Sequence, residues 1–261
     1  MQKSETGAPH TIESRDGLGR VTAAVLVIGD EILSGRTKDR NIGHIAEHLT
    51  AIGIELREVR VVADDEAAIV EAVNALRARY RYLFTTGGIG PTHDDITADC
   101  IAKAFGVPIE IDPRALAIMK PHYERRGVEL TPPRLRMART PRGSELIENS
   151  VSIAPGFMIE NVIVMAGVPA VMQVMLDAVT PRLEKGRPMH AAAIDLSVPE
   201  GEIAEMLGDH QKRYPGVAMG SYPTWKDGRP STQLVLRSTD DVAFSEAVAG
   251  LKAKLNQRGL I

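Results

Sequence analysis

Phe84-Thr85-Thr86-Gly87-Gly88-Ile89-Gly90-Pro91-Thr92-His93-Asp94-Asp95-Ile96-Thr97 is the stretch on which the reading of this chain turns. An apolar run from Tyr80 to Phe84 halts at two threonines; Gly87, Gly88 and Gly90 follow, then adjacent carboxylates, then a helix-like segment. Glycines let backbone N–H groups approach a ligand and form an anion-binding concavity, and a helix start adds unpaired donors and partial positive charge. Paired aspartates in such a place would repel a phosphate unless a divalent cation sat between them. No Lys follows the last glycine, as a phosphate-binding Walker loop requires, and the dinucleotide spacing Gly-x-Gly-x-x-Gly is absent. A turn that only reverses the chain is the alternative, but it leaves Asp94 and Asp95 unexplained.

The 261 residues suffice for one large domain or two small ones, and 44% hydrophobic with 25% charged residues is ordinary for a globular protein. A net charge of −3 argues against nonspecific nucleic-acid binding. No apolar run is long enough to span a membrane, and no basic-then-apolar leader opens the chain. The single cysteine, Cys100, excludes an intrachain disulfide framework and fits a reducing compartment, so a cytoplasmic location is expected. Cys100 falls on the apolar face of a predicted helix and reads as a small core residue.

Periodicity sets out an alternating pattern. Residues 1–20 read as a flexible polar tail. Ala23 to Ile28 is a predicted buried strand, broken by Gly29-Asp30-Glu31. A helix follows over Asn41–Ala51, a strand over Leu56–Val62, and a helix capped by Asp64 or Asp65. A strand over Arg81–Thr86 leads to a helix from Ile96 to Phe105, stopped at Gly106, and Asp112-Pro113 opens another. Residues 131–150 read as a loop around a short helix. Strands at 151–159 and 161–166 precede a helix over Ala170–Leu183. This predicts an α/β fold: a three-layer, mainly parallel sheet with helices on both faces, over residues 21–187. After Lys185-Gly186-Arg187-Pro188 the order strand, helix, strand, strand, helix predicts a small α+β sandwich at 188–261. Ligands of such parallel sheets bind beyond the carboxyl ends of the strands. Gly29-Asp30-Glu31, Asp64-Asp65, Thr86-Gly87-Gly88 and Gly167-Val168-Pro169 stand at those ends.

At this point the motifs resemble a known family. Thr85 to Pro91 with Asp94-Asp95-Ile96-Thr97 is similar to the signature of the MoaB/MogA-type molybdopterin-binding fold. Gly29-Asp30-Glu31-Ile32-Leu33-Ser34-Gly35 resembles the first-strand motif of one branch, which holds the N-terminal part of CinA and the corresponding domain of FAD synthases. Ala154-Pro155-Gly156-Phe157, Gly167-Val168-Pro169 and Tyr214 to Pro223 resemble further motifs of that branch. Two departures stand out. The acidic residue usual after the Gly-Val-Pro motif is replaced by Ala170-Val171, and no counterpart of the amidase-like domain of full-length CinA is present, so nicotinamide-nucleotide deamidation is not expected.

The resemblance implies a small-molecule ligand, a nucleotide or pterin phosphate, with nucleic acid and membrane excluded as partners and a homo-oligomer, dimer or trimer, expected. It implies Asp95 and Asp64 as catalytic carboxylates, and Asp95, Asp94, Asp30 and Glu31 as ligands of a divalent metal, Mg²⁺ or similar. Thr86, Gly87, Gly88, Gly90, Pro91, Thr97, Gly29, Ser34, Asn41, Gly167 and Pro169 are the candidate phosphate and ligand contacts. The expected activity is hydrolysis of nucleotide pyrophosphates such as ADP-ribose or FAD. Molybdopterin binding or adenylyl transfer, and nucleotide binding without catalysis, are the alternatives. Each carboxylate also has a plain reading: Asp64 or Asp65 as a helix cap, Asp30 as a loop acceptor, Glu31 as a solvated side chain. His44 and His48 read as helix-face residues. Arg134, Arg136, Arg139 and Arg142 either grip an anion or are solvated, and Trp225 reads as a packing residue.

Overall fold

The structure, a computed structural model, describes residues 20–226 and 228–261. All of the expected flexible tail except Arg20 lies outside the described residues. Contacts divide the chain into two compact units between Gly186 and Arg187.

The first unit opens with β1 (Thr22–Ile28), a short α1 (Asp30–Leu33), α2 (Asn41–Ala51), β2 (Glu55–Val62), α3 (Glu66–Arg79), β3 (Tyr82–Thr86) and α4 (Thr97–Phe105). It continues with β4 (Ile109–Ile111), α5 (Pro113–Arg125), α6 (Pro132–Arg136), β5 (Arg139–Pro141), β6 (Glu145–Ile147), β7 (Gly156–Ile159), β8 (Val162–Met165) and α7 (Pro169–Val179). A six-stranded sheet runs in the order β2-β1-β3-β8-β7-β6. β2, β1, β3 and β8 are parallel, whereas β7 pairs antiparallel with both β8 and β6.

β1 shows why the sheet carries helices on both faces. Side chains along a strand alternate between faces, and both faces of this one are apolar. Ala23, Val25 and Val27 join a core with Ile45 and Leu49 of α2 and Met172, Met175 and Leu176 of α7. Ala24, Leu26 and Ile28 join a separate core with Ile69, Val73 and Leu76 of α3 and Cys100 and Ile101 of α4. Cys100 is thus a core residue, and burial pushes its thiol up to about 12.

β1 and β3 are neighbours whose following helices, α2 and α4, pack on opposite faces. Their diverging connections open a crevice at the carboxyl ends of the two strands. Helix boundaries follow from side-chain caps. Asp65 Oδ1 accepts the Ala68 amide at 2.8 Å, Asp112 accepts the Arg114 amide at 2.8 Å, and Gly106 ends α4 at φ 65°.

Several expectations are corrected. Gly29-Asp30-Glu31 is not a simple break, because Asp30 begins the short α1. The segment 131–150 contains β5 and β6 besides its helix; β5 pairs with β4, itself unforeseen. The strand expected over 151–159 begins only at Gly156, where an added Cβ would lie 2.5 Å from the Val164 carbonyl oxygen.

The second unit contains β9 (His190–Leu196), α8 (Ala204–Arg213), β10 (Ala218–Lys226), β11 (Arg229–Ser238) and α9 (Asp241–Gln257). Its antiparallel sheet, in the order β10-β11-β9, packs Ile194, Leu234 and Leu236 against Leu207, Leu251 and Leu255 of the two helices. Trp225 lies on β10 and is 75% exposed. No helix among the described residues is long and apolar enough to cross a membrane.

Gly87 marks the tightest approach at the strand ends. Its φ is 104°, and an added Cβ would lie 2.1 Å from the Ile28 carbonyl oxygen. Gly87→Ala is therefore expected to cost upward of about 2 kcal/mol, because both backbone strain and a clash with main chain oppose it. Gly106→Ala, with φ 65° and nothing within 4 Å of the new Cβ, is expected to cost about 1 kcal/mol. Urea denaturation of the two variants checks the order; an equal loss would show that the clash is relieved cheaply.

Candidate functional site

At the β1/β3 crevice lies a cavity of about 490 Å³. Val27 and Ile28 from the end of β1, Thr86 from the end of β3, and Gly167 and Pro169 from the β8–α7 connection form part of its wall. Glu31, Ile32 and the stretch Arg36 to Asn41 complete it. The volume falls within the range of small-ligand pockets.

Two of the wall's polar side chains are buried without partners. Asn41, 4% exposed, donates from Nδ2 to the Gly167 carbonyl at 2.8 Å, which leaves its Oδ1 with no hydrogen bond. Thr86, 1% exposed, has an unpartnered hydroxyl. It follows the alternation of Tyr82 and Phe84 toward the face that carries α2 and α7. A buried polar atom with no partner costs about 1–3 kcal/mol, a cost that a hydrogen-bonding ligand removes.

The cavity brings together five of the sequence candidates: Glu31, Asn41, Thr86, Gly167 and Pro169. It also collects Arg36, Lys38 and Arg40, which the sequence reading passed over. Their signal was present as three cations at alternating positions beside the first-strand motif. Among the described residues none of the three makes an ion pair, whereas Arg60, Arg79, Arg139 and Arg142 all do.

Asp64 does not line the cavity; it sits at an acidic corner with Asp30, Asp94 and the wall residue Glu31. Its Oδ2 accepts the Asp30 amide at 3.0 Å and so holds the start of α1, while the cap of α3 is Asp65. Burial pushes the Asp64 carboxyl above the usual carboxylate range; the Asp30 amide opposes this, and the charges of Asp30, Glu31 and Asp94 add to it. At Asp94, which is exposed, hydrogen bonding from Thr92 lowers the carboxyl. His93, also exposed, lies 3.9 Å from Asp94.

Other candidates are engaged inside the protein. The Gly87 amide donates to the Met165 carbonyl at 3.2 Å and the Gly29 amide to the Val62 carbonyl at 3.1 Å, so neither is open to a phosphate as expected. Thr97 is buried, and its hydroxyl donates to the Gly87 carbonyl at 3.0 Å. Gly88 leaves room for that residue: an added Cβ would lie 2.1 Å from Thr97 Oγ1. Ser34 is an exposed end of α1, and neither it nor Pro91 lines the cavity.

Asp95 departs furthest from expectation. Its Oδ2 accepts the amide of Thr92 at 2.8 Å and the Thr92 hydroxyl at 2.6 Å, folding the carboxylate against Gly90. Asp95 lines a different cavity of about 20 Å³, beside Arg136 and Arg139, a volume suited to one water molecule. The expected arginine run is partly engaged within the protein, with Arg142 exposed. Arg136 donates to the Asp95 carbonyl, Arg139 pairs with Asp99, and Arg142 pairs with Glu110. His48 lies on α2 beside Thr180, at 2.7 Å.

Among the described residues no three His, Cys, Asp or Glu side chains group to hold a metal ion. Both hydrogen bonds to the Asp95 carboxylate fall on Oδ2.

The geometry can be set beside known proteins. A family model described as "Probable molybdopterin binding domain" matches residues 24–185, and one described as "FAD synthase, middle domain" matches 188–261. A protein of Aeropyrum pernix is 34% identical over 88% of this chain and 91% of its own length. A CinA-like protein of Desulfosudis oleivorans is 38% identical over 76% of this chain but only 51% of its own length. Among solved structures, a CinA protein of unknown function from Thermoplasma acidophilum matches with a TM-score of 0.58 and 36% identity, covering 62% of this chain and 98% of its own.

The raised Asp64 carboxyl has a consequence for stability. The folded state binds the Asp64 proton more tightly than the unfolded chain, so this group's contribution is favourable at low pH and is lost as pH rises through the folded pKa. Asp64→Asn retains an oxygen for the Asp30 amide and removes the charge. Its melting temperature is expected to exceed that of the unsubstituted protein at pH 7, with the gap closing as pH falls below the carboxylate range. A gap that stays constant with pH would refute this account.

Proposed function

The chain belongs to the molybdopterin-binding-domain family in its CinA-like form, and from that premise we propose that it binds a phosphorylated nucleotide at the strand-end cavity and hydrolyses nucleotide pyrophosphates of the ADP-ribose or FAD type. The observation that carries the reading is that two residues lining a cavity of ligand size, Asn41 and Thr86, each hold a buried polar atom without a partner, Oδ1 and Oγ1. Val27, Ile28 and Ile32 would pack against a heterocycle. Asn41 Oδ1 would accept one of its N–H groups, and the Thr86 hydroxyl would donate or accept beside it.

Hydrolysis of a phosphoric anhydride joins a water oxygen to one phosphorus, breaks that phosphorus's bond to the bridging oxygen so that the other phosphate leaves with it, and requires the water to lose a proton. Asp64 is the carboxylate best suited to take that proton, because its raised pKa makes it a stronger base than a solvated aspartate. Its Oδ2 is held by the Asp30 amide, which fixes the side chain. A divalent cation enters only as the counter-ion that a polyphosphate substrate brings with it.

Purified protein incubated with ADP-ribose, FAD or NAD in the presence of Mg²⁺ is expected to release AMP or another nucleoside monophosphate. Asp64→Asn is expected to lower that rate by about a hundredfold, and Thr86→Val to raise KM. No release from any of the three, or equal release from Asp64→Asn, would overturn the reading. A second reading, molybdopterin binding or adenylyl transfer to a pterin, is favoured by the family description of residues 24–185. Tight pterin binding with no monophosphate release would decide for it.

A further inference from the structure

We propose that Arg36, Lys38 and Arg40 form the anion subsite of the strand-end cavity, so that a ligand's phosphates leave the cavity along this strip and not over the glycine-rich turn. All three line the cavity and, among the described residues, form no ion pair. Like charges two residues apart repel one another, and the acid among them does little to relieve it: Asp39 Oδ1 accepts the amides of Asn41 at 3.0 Å and Ile42 at 2.8 Å. Unpaired guanidinium and ammonium groups lining a ligand-sized cavity suit a dianion or trianion, since Arg matches phosphate oxygens with paired donors and Lys as a point charge.

The competing location is poorly equipped. The Gly87 amide is occupied by the Met165 carbonyl, and the turn carries Asp94 and Asp95. An anion there would meet the repulsion of these two carboxylates. The buried, unpartnered Asn41 Oδ1 and Thr86 Oγ1 supply an independent sign that the same cavity takes a ligand. Asn41 fixes its orientation as well. With Nδ2 tied to the Gly167 carbonyl, it offers an acceptor, which attracts N–H groups of a ring and repels phosphate oxygens. The ligand class is thus a heterocycle bearing N–H donors joined to two or more phosphates. The ring half of this statement rests on the nucleotide reading above; the anion half does not.

The test is calorimetric titration of inorganic pyrophosphate and of ADP into the unsubstituted protein, the triple variant Arg36→Gln/Lys38→Gln/Arg40→Gln, Thr86→Val, and Arg142→Gln as a control whose side chain pairs with Glu110 elsewhere. The triple variant is expected to bind both probes about tenfold more weakly, with a shallower loss of affinity as salt rises. Thr86→Val is expected to weaken ADP and leave pyrophosphate unchanged. The side chains of Arg36, Lys38 and Arg40 are exposed, and melting curves confirm folding of every variant; Lys38→Glu serves as a second variant, with the same direction expected. Pyrophosphate bound equally by the triple variant and the unsubstituted protein, or by neither, would overturn the proposal. Loss of pyrophosphate binding in the triple variant with no nucleotide hydrolysed by any form would uphold the strip and remove the hydrolase reading.

Discussion

The structure depends on the parallel pairing of β1 with β3, two adjacent strands whose connections depart to opposite faces. Because both faces of β1 are apolar, helices must cover each side, and the chain must swing one way after Ile28 and the other after Thr86. The strand ends can then close only if one residue at the junction has no side chain. Gly87 meets that need against the Ile28 carbonyl oxygen. The crevice left by the diverging chain is where the cavity lies, so the site is a product of sheet topology before it is a product of any functional side chain.

Much of this was legible in the sequence because the decisive signals are local. The apolar run at Ala23–Ile28, the helical face Ile45–Leu49 and the stop at Gly106 each follow from periodicity or from a glycine at positive φ. The three-residue strands β4, β5 and β6 escaped because so short a run carries no measurable alternation, and their pairing is fixed by partners distant in sequence. The site was legible in part for the same reason. Asn41, Thr86 and Gly167 stand at strand or helix ends and could be placed by position. Whether an aspartate faces a cavity or its own turn depends on one side-chain torsion, and Thr92 settles that for Asp95. Arg36, Lys38 and Arg40 belong to no periodic element; their alternation marks a run of positive charge, and only the fold makes it a wall.

The glycine-rich turn changes its meaning accordingly. Its spacing suggested a cradle of open amides, yet Gly87 and Gly88 serve close packing against Ile28 and Thr97, and Gly90 leaves room for the Asp95 carboxylate. The turn shapes the junction, while the exposed positive charge lies on the opposite connection. Asp64 shows a related compromise: it secures the start of α1 from a position where burial and neighbouring acids disfavour its charge. Groups kept at such a cost are commonly found where chemistry needs them.

The hydrogen bond from Asn41 Nδ2 to the Gly167 carbonyl joins residues 126 positions apart. Asn41 begins α2 and Gly167 lies just ahead of α7, two helices on the same face of the sheet. The bond fastens their amino-terminal ends together, so that side of the mouth behaves as one stiff jamb. Breathing of the entrance is then left to the solvent-exposed run from Ser34 to Lys38, which has little core to anchor it.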